Sequence, residues 1–361
     1  MGMEVSYSGQ VIANRFEVSA SIGEGACGTV WMAHDRVLGI HVAVKVLRDA
    51  MRRDPKRLAA FEREALVCLR MLSPNIVRVL AFGAEADELP FIAYELLPGE
   101  TLEQRLGRAP KLTIDEVENA VVQIARGLGR AHTLGVVHRD IKPSNVFLTK
   151  DDREKSLAKV LDFGIATLRG KRDTQGNDVY GTLEYIAPEL VFQTHEPDAR
   201  ADLYSLTALA YECLTGRPPF RVASVPELIA RLARGPSSPD SVAPIVGAAA
   251  AVALDDFFER GLSKDPSERF QSARELAEEL HRVIKAAKVA NPALVVVRPS
   301  MMSLPAVEIP TGDSASKVAV APKPPPMRPR AQSFVFGIED EIDMTNGGAP
   351  SSGRGRDPRR E

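Results

Sequence analysis

The sequence predicts an α+β protein of two lobes. The smaller lobe is built on an antiparallel sheet with one helix; the larger is mainly helical, and a tail without regular structure follows. Three changes of texture carry this. Up to about Leu97, short β-rich runs alternate with turn residues around one amphipathic helix. From Pro98 to about Ala290, helical periodicity takes over. After Asn291, proline, serine, glycine and alternating charge dominate, and such a stretch buries too little apolar surface to offset the cost of ordering. The boundaries expected are an N-terminal extension over 1–14, a small lobe over 15–97, a large lobe over 98–290 and a tail over 291–361.

In the small lobe, strands are expected over 16–22, 29–33, 41–47, 77–83 and 91–96. Its helix carries Leu58, Phe61, Ala65, Leu69 and Leu72, whose spacing predicts one apolar stripe facing the strands. In the large lobe, Thr113 with Glu116 reads as a capping box. It opens a helix with Val117, Val121, Ile124, Leu128 and Ala131 on one face. Ser272 with Glu275 opens another, carrying Leu276, Leu280 and Val283. The run 203–214 is apolar nearly all round and stops before Gly216, the pattern of a buried central helix.

Composition removes several classes of function. The net charge is −2, so no basic field points to nucleic acid. The three cysteines, Cys27, Cys68 and Cys213, are far apart and show no CxxC spacing. That argues against a disulfide framework or zinc knuckle and for a reducing compartment. The small apolar run 247–254 is too short for a bilayer span, as are the valines near Val295. The expectation is a soluble, cytoplasmic protein.

The chemistry lies in four motifs. Gly23-Glu-Gly25-Ala-Cys-Gly28 lets a backbone lie close over phosphates without a Cβ in the way. A dinucleotide loop shares these glycines but opens a helix, whereas a strand-like run follows here. Alone, the pattern stays open between phosphate binding, a dinucleotide loop and an incidental turn. Next, Val42-Ala43-Val44-Lys45 sets a small residue and a cation on one strand face, which suits an adenine ring and its phosphates. A surface lysine on a half-buried strand is the bland alternative. Glu64 is the candidate to hold Lys45, with Glu62 its rival.

His138-Arg139-Asp140-Ile-Lys142-Pro-Ser-Asn145 crowds charge between two apolar runs, which a purely structural loop has little reason to do. Asp140 can orient a hydroxyl and accept its proton, Asn145 can hold a metal, and Lys142 can balance a moving phosphoryl charge. Asp162-Phe163-Gly164 follows 162 − 140 = 22 residues later, offering a carboxylate to Mg²⁺.

In order and spacing, these motifs resemble the eukaryotic-type serine/threonine protein kinases, in their bacterial branch, from about Arg15 to Ile284. The resemblance implies the bilobal protein kinase fold and transfer of the ATP γ-phosphate to serine or threonine hydroxyls of proteins. Its cofactor is Mg²⁺, with Mn²⁺ able to replace it. By the same resemblance Asp140, Lys142, Lys45 and Glu64 are catalytic, and Asn145 and Asp162 hold the metal. ATP lies against Ile22, Gly23, Gly25, Gly28, Val30, Ala43, Lys45, Tyr94, Glu95 and Leu97, with Tyr94 as gatekeeper. Ala187-Pro188-Glu189 closes the activation segment, Asp202 resembles the anchor of the catalytic loop, and Arg269 resembles the partner of Glu189.

Lys142 and Gly181-Thr182 match the serine/threonine branch, with Thr182 expected to bond Asp140 and Lys142. Arg139 offers a site for a phosphate, and autophosphorylation is expected at Thr174 ahead of Thr167. The departures are Cys27 at the loop tip, Ser73 where histidine is frequent and Thr207 where glycine is common; none removes a catalytic group. An inactive scaffold with this fold, or a small-molecule kinase, are the rival readings. Protein substrates are the expected partners. The patch 333–344 reads first as part of the disordered tail, with docking on the kinase or on a partner as the alternative, and pairing of two copies through the small lobe is open.

Overall fold

The structure, a computed structural model, describes residues 7–24, 28–48, 54–83, 89–163, 184–192, 197–220, 226–227, 230 and 239–295; the side chains of Lys56, Arg57, Ala60 and Glu64 lie outside them. Gly25, Cys27, Thr167, Thr174, Thr182 and the patch 333–344 also lie outside the described residues.

The small lobe is a six-stranded antiparallel sheet. Its strands are β1 (Val11–Ile12), β2 (Phe16–Glu24), β3 (Gly28–Asp35), β4 (Ile40–Leu47), β5 (Val79–Gly83) and β6 (Phe91–Glu95), in the order β1-β2-β3-β4-β6-β5. Period-two alternation gives the sheet two apolar faces. Phe16, Val18, Trp31, Ala33, Val42, Val44 and Phe91 form a small core on one of them. Tyr7 packs edge-on against Trp31, with ring centroids 5.9 Å apart, so the chain ahead of β1 covers part of that face.

The opposite face carries Val30, Ala43 and Lys45 and meets α1 (Pro55–Arg70). The apolar stripe of α1 differs from the one expected. Phe61, Ala65, Cys68 and Met71 are buried, while Leu69 is exposed and Leu72 lies beyond the helix end at 70 % exposure. At 100° per residue, Cys68 falls within about 20° of Phe61 and Leu69 about 80° away, so the smaller side chain takes the inner position.

The large lobe begins with β7 (Glu100–Thr101), α2 (Leu102–Arg108) and α3 (Ile114–Thr133). Thr113 and Glu116 close the expected capping box. A second box, Thr101 with Gln104, opens α2. β7 pairs with β8 (Val146–Lys150), which pairs with β9 (Ser156–Val160). The helices α4 (Pro188–Phe192), α5 (Ala199–Thr215), α6 (Ala243–Val246), α7 (Ala248–Gly261) and α8 (Ala273–Ala290) complete the lobe. At the start of α8 only half of the expected box forms. Ser272 accepts from the Glu275 N–H, but the Glu275 carboxylate turns to the N–H of Gln271. Among the described residues, no helix is long and apolar enough to cross a membrane.

α5 is the central post, buried along nearly its whole length. Asp198 caps its start, and Gly216, at φ 78°, ends it in the left-handed region that glycine enters without steric cost. One continuous core runs from the α1 side of the sheet through α3, α5 and α7 to α8. Its polar member is the pair Arg269–Glu189, joined by two parallel bonds of 2.8 Å with both side chains almost wholly buried. The remaining Arg269 N–H groups donate to the carbonyls of Ser263, Arg200 and Lys264, so neither charge lacks a partner. Arg269→Met should strand the Glu189 carboxylate and cost about 3–5 kcal/mol in urea unfolding; a loss below about 1 kcal/mol would place the pair among surface-grade contacts.

Candidate active site

The site is assembled from loops fixed by α5. Asp202, fully buried near the start of that helix, accepts the backbone N–H of His138 on Oδ2 at 2.8 Å and that of Arg139 on Oδ1 at 2.7 Å. His132 Nε2, from the end of α3, lies 2.8 Å from Oδ2. This grip holds Arg139 at φ 66°, a conformation L-residues avoid, at a cost of about 1–2 kcal/mol. The buried His138 side chain continues the network. Its Nδ1 accepts from the Asp140 N–H at 3.2 Å, and Nε2 lies 2.8 Å from the Leu161 carbonyl.

Asp140 therefore leaves the loop with a set direction. Its Oδ2 takes Lys142 Nζ at 3.0 Å and Asn145 Nδ2 at 3.1 Å. Its Oδ1 is buried and has no hydrogen-bond partner among the described residues. Because buried carboxylate oxygens are normally satisfied, an unpaired one marks a place where an incoming donor would be held. Asn145 donates Nδ2 to the Asp140 carbonyl as well, at 2.7 Å, so its carbonyl oxygen is the end it can offer a cation.

Asp162 follows β9 at φ 52°, a second left-handed non-glycine residue, and Phe163 beside it packs edge-on against His138 at 4.7 Å. Lys45 reaches from β4 to Asp162 Oδ1 at 2.8 Å, a contact 117 residues apart in sequence. Burial is the largest single influence and pushes the Asp162 carboxyl upward, but Lys45, with smaller help from Lys142, brings it down. The net result lies below the usual carboxylate range. The Leu161 N–H donates to the Asn145 backbone carbonyl at 2.9 Å, which closes the circuit between Asp162 and the loop 138–145.

Lys45, Asp140, Lys142, Asn145 and Asp162 are thus joined by direct bonds or through one neighbouring residue. Glu64 lies within α1, and its side chain is outside the described residues. On the sheet, Val30 stands opposite Lys45 and Gly23 opposite Val30, while Ala43 pairs with buried Tyr94. Ile22 is about half exposed, Val30, Ala43 and Leu97 are half-buried, and Glu95 ends β6. Gly28 is required by packing, since a Cβ there would stand 2.1 Å from the Val46 carbonyl. At Gly23 a Cβ would meet only Val30 at 3.9 Å, so the fold itself makes no demand for glycine there.

No motif or spacing marks Lys159, whose ammonium lies 2.6 Å from Glu95 Oε1. Its position three residues before Asp162 was visible; its reach across to β6 was not.

The protein kinase domain family matches residues 16–281. The serine/threonine-protein kinase Pkn3 of Myxococcus xanthus is 36% identical over 285 residues, covering 77% of this chain and 52% of its own length. The kinase PknH of Mycobacterium tuberculosis is 33% identical over 313 residues, covering 86% of this chain and 48% of its own. This chain therefore spans about half the length of these curated relatives. The crystal structure of the Mycobacterium tuberculosis PknI kinase domain superposes with a TM-score of 0.60 at 30% identity, covering 77% of this chain and all of that one.

Removing the Lys45 ammonium should take away the main influence that lowers the Asp162 carboxyl. In Lys45→Met it should titrate higher than in the wild type, back toward the usual range, near 4 for a free aspartate, when followed by ¹³C NMR. An unmoved titration would show that another cation holds the carboxylate. In the wild type the pair's stabilisation should be complete above that range and fade as pH falls through the depressed value.

Proposed function

The chain belongs to the protein kinase family, in its bacterial serine/threonine branch, and from that premise we propose that it transfers the γ-phosphate of ATP to serine and threonine hydroxyls of proteins. The observation that carries the reading is the Asp140 Oδ1, buried without a hydrogen-bond partner among the described residues beside a bonded group of one further acid, two ammoniums and an amide.

Asp140 Oδ1 receives the acceptor hydroxyl's hydrogen bond, aligns its oxygen and takes its proton. Lys142, already on the other oxygen of Asp140, stands where it can meet charge on the transferred group. Lys45 holds the phosphates, with Glu64 as its partner from α1, while Val30, Ala43 and Ile22 cover the adenine and the strand ending at Glu95 borders it. Asp162 and the Asn145 carbonyl would hold a divalent cation. Two oxygen donors suit a hard ion such as Mg²⁺ that keeps several waters, and Mn²⁺ takes the same ligands. Once bound, that ion neutralises charge on the phosphates.

Little covalent chemistry falls to the protein, so positioning supplies most of the acceleration. The bonded circuit through His138, Leu161 and Asn145 supports this role, because it fixes the acid and metal residues before any substrate arrives. Arg139 Nε is buried without a hydrogen-bond partner among the described residues, which supports a phosphate on the activation segment as its counterpart.

Asp140→Asn should lower the rate of phosphate transfer to a protein acceptor about 10²–10⁴-fold while nucleotide still binds. A variant keeping more than about a tenth of the wild-type rate would remove Asp140 from the role of base. Incubation of the wild type with Mg²⁺-ATP followed by mass spectrometry should find phosphate on Thr174 ahead of Thr167. An activation segment that stays unmodified would count against autophosphorylation.

A further inference from the structure

Strand β9 belongs to the large lobe by its pairing with β8, yet three consecutive residues of it are held by groups of the small lobe. The Ala158 carbonyl accepts Asn75 Nδ2 at 3.0 Å. The Ala158 N–H donates to Gln123 Oε1, which also takes Asn75 Nδ2, at 3.1 Å. The Val160 N–H donates to the Asn75 carbonyl, and its own carbonyl accepts the Val77 N–H. Between them, Lys159 extends its ammonium to Glu95 Oε1.

The Lys159 contact differs in kind from its neighbours. Bonds made at the backbone of β9 set its register against the segment after α1, but they do not reach the last residue of β6. The side chain of Lys159 does. The same Glu95 oxygen accepts the Arg78 N–H at 2.9 Å, and the Glu95 N–H donates to the Arg78 carbonyl at 3.0 Å. One carboxylate therefore ties the end of β6, the approach to β5 and β9 together. Lys159 is only 8 % exposed, so its ammonium is largely removed from water and from screening by salt. A cation so placed requires a partner, and Glu95 is the one it finds among the described residues.

What stands at the two ends of this pair gives it meaning. Tyr94, Glu95 and Leu97 line the side of the cleft assigned to adenine, and Asp162, three residues after Lys159, is the carboxylate assigned to the metal. We propose that Lys159 is a positioning residue which, through its ion pair with Glu95, fixes the adenine side of the cleft against the strand that delivers Asp162, and so sets how tightly ATP is held. The proposal rests on the reading of this cleft as the ATP site. A merely structural lysine would change the fraction of folded enzyme, and hence the apparent kcat, but not the KM for ATP.

The test uses the full chain with Mg²⁺-ATP and casein as acceptor. Lys159→Met should raise the KM for ATP roughly fivefold, the scale set by about 1 kcal/mol for a partly shielded ion pair, and leave the KM for casein unchanged. Lys159→Arg should restore most of the ATP affinity. Glu95→Gln with Lys159→Met should be no worse than the poorer single variant, since both remove one contact. Lys150→Met, at the exposed far end of the same hairpin, should match the wild type. Where Lys159→Met fails to fold, Glu95→Gln and the Kd of a fluorescent ADP analogue give the same reading. An unchanged KM and Kd, or additive effects in the double variant, would overturn the proposal while leaving the kinase reading intact. A wild type that neither binds the analogue nor phosphorylates casein would overturn the reading on which it rests.

Discussion

The carboxylate of Asp202 is the constraint from which the arrangement of the cleft follows. It is buried in the middle of the larger core and has no lysine or arginine side chain bonded to it among the described residues. Two backbone N–H groups and an imidazole satisfy it instead. Hydrogen bonds to charged groups are worth about 1.5–3 kcal/mol each, enough together to hold Arg139 in a backbone region it would otherwise leave. Once that turn is fixed, His138 points inward, Leu161 is held by His138, and Asp140 is turned toward Lys142 and Asn145. A single charge on a rigid helix thus sets the conformation of a loop that has no regular structure of its own.

A second consequence is that the site is largely preformed. Asn145 is bonded to Asp140 and, by its backbone carbonyl, to Leu161 next to Asp162, and Lys45 is already on Asp162. Both left-handed residues of the cleft, Arg139 and Asp162, sit where these bonds converge. Strained backbone survives where its surroundings over-determine it, and here the surroundings are hydrogen bonds from three separate elements. The free energy of ordering is met during folding, before a nucleotide enters.

Much of this was legible in the residues. Crowding of charge at 138–145, the Asp162 motif and the late Arg269 are local signals, and chemistry explains each. Capping at Thr113 and the stop at Gly216 were readable because they depend on a few neighbouring residues. The face of α1 was misread because Leu69 is more apolar than Cys68 in any list of side chains, while packing against the sheet favoured the smaller residue in the inner position. Lys159 was missed for another reason. It stands on a short strand 64 residues from its partner, and no period or spacing connects them. Contacts of that kind are set by topology, which the sequence expresses only once the strands have found their order.

The edge-on packing of Tyr7 against Trp31 has a practical bearing. Trp31 is the sole tryptophan of the chain and lies in the strand that follows the glycine loop. Its emission therefore samples the small lobe and is blind to the helical one, whose melting registers in circular dichroism. Comparing the two signals on heating therefore tells whether the lobes, which share one core, melt together.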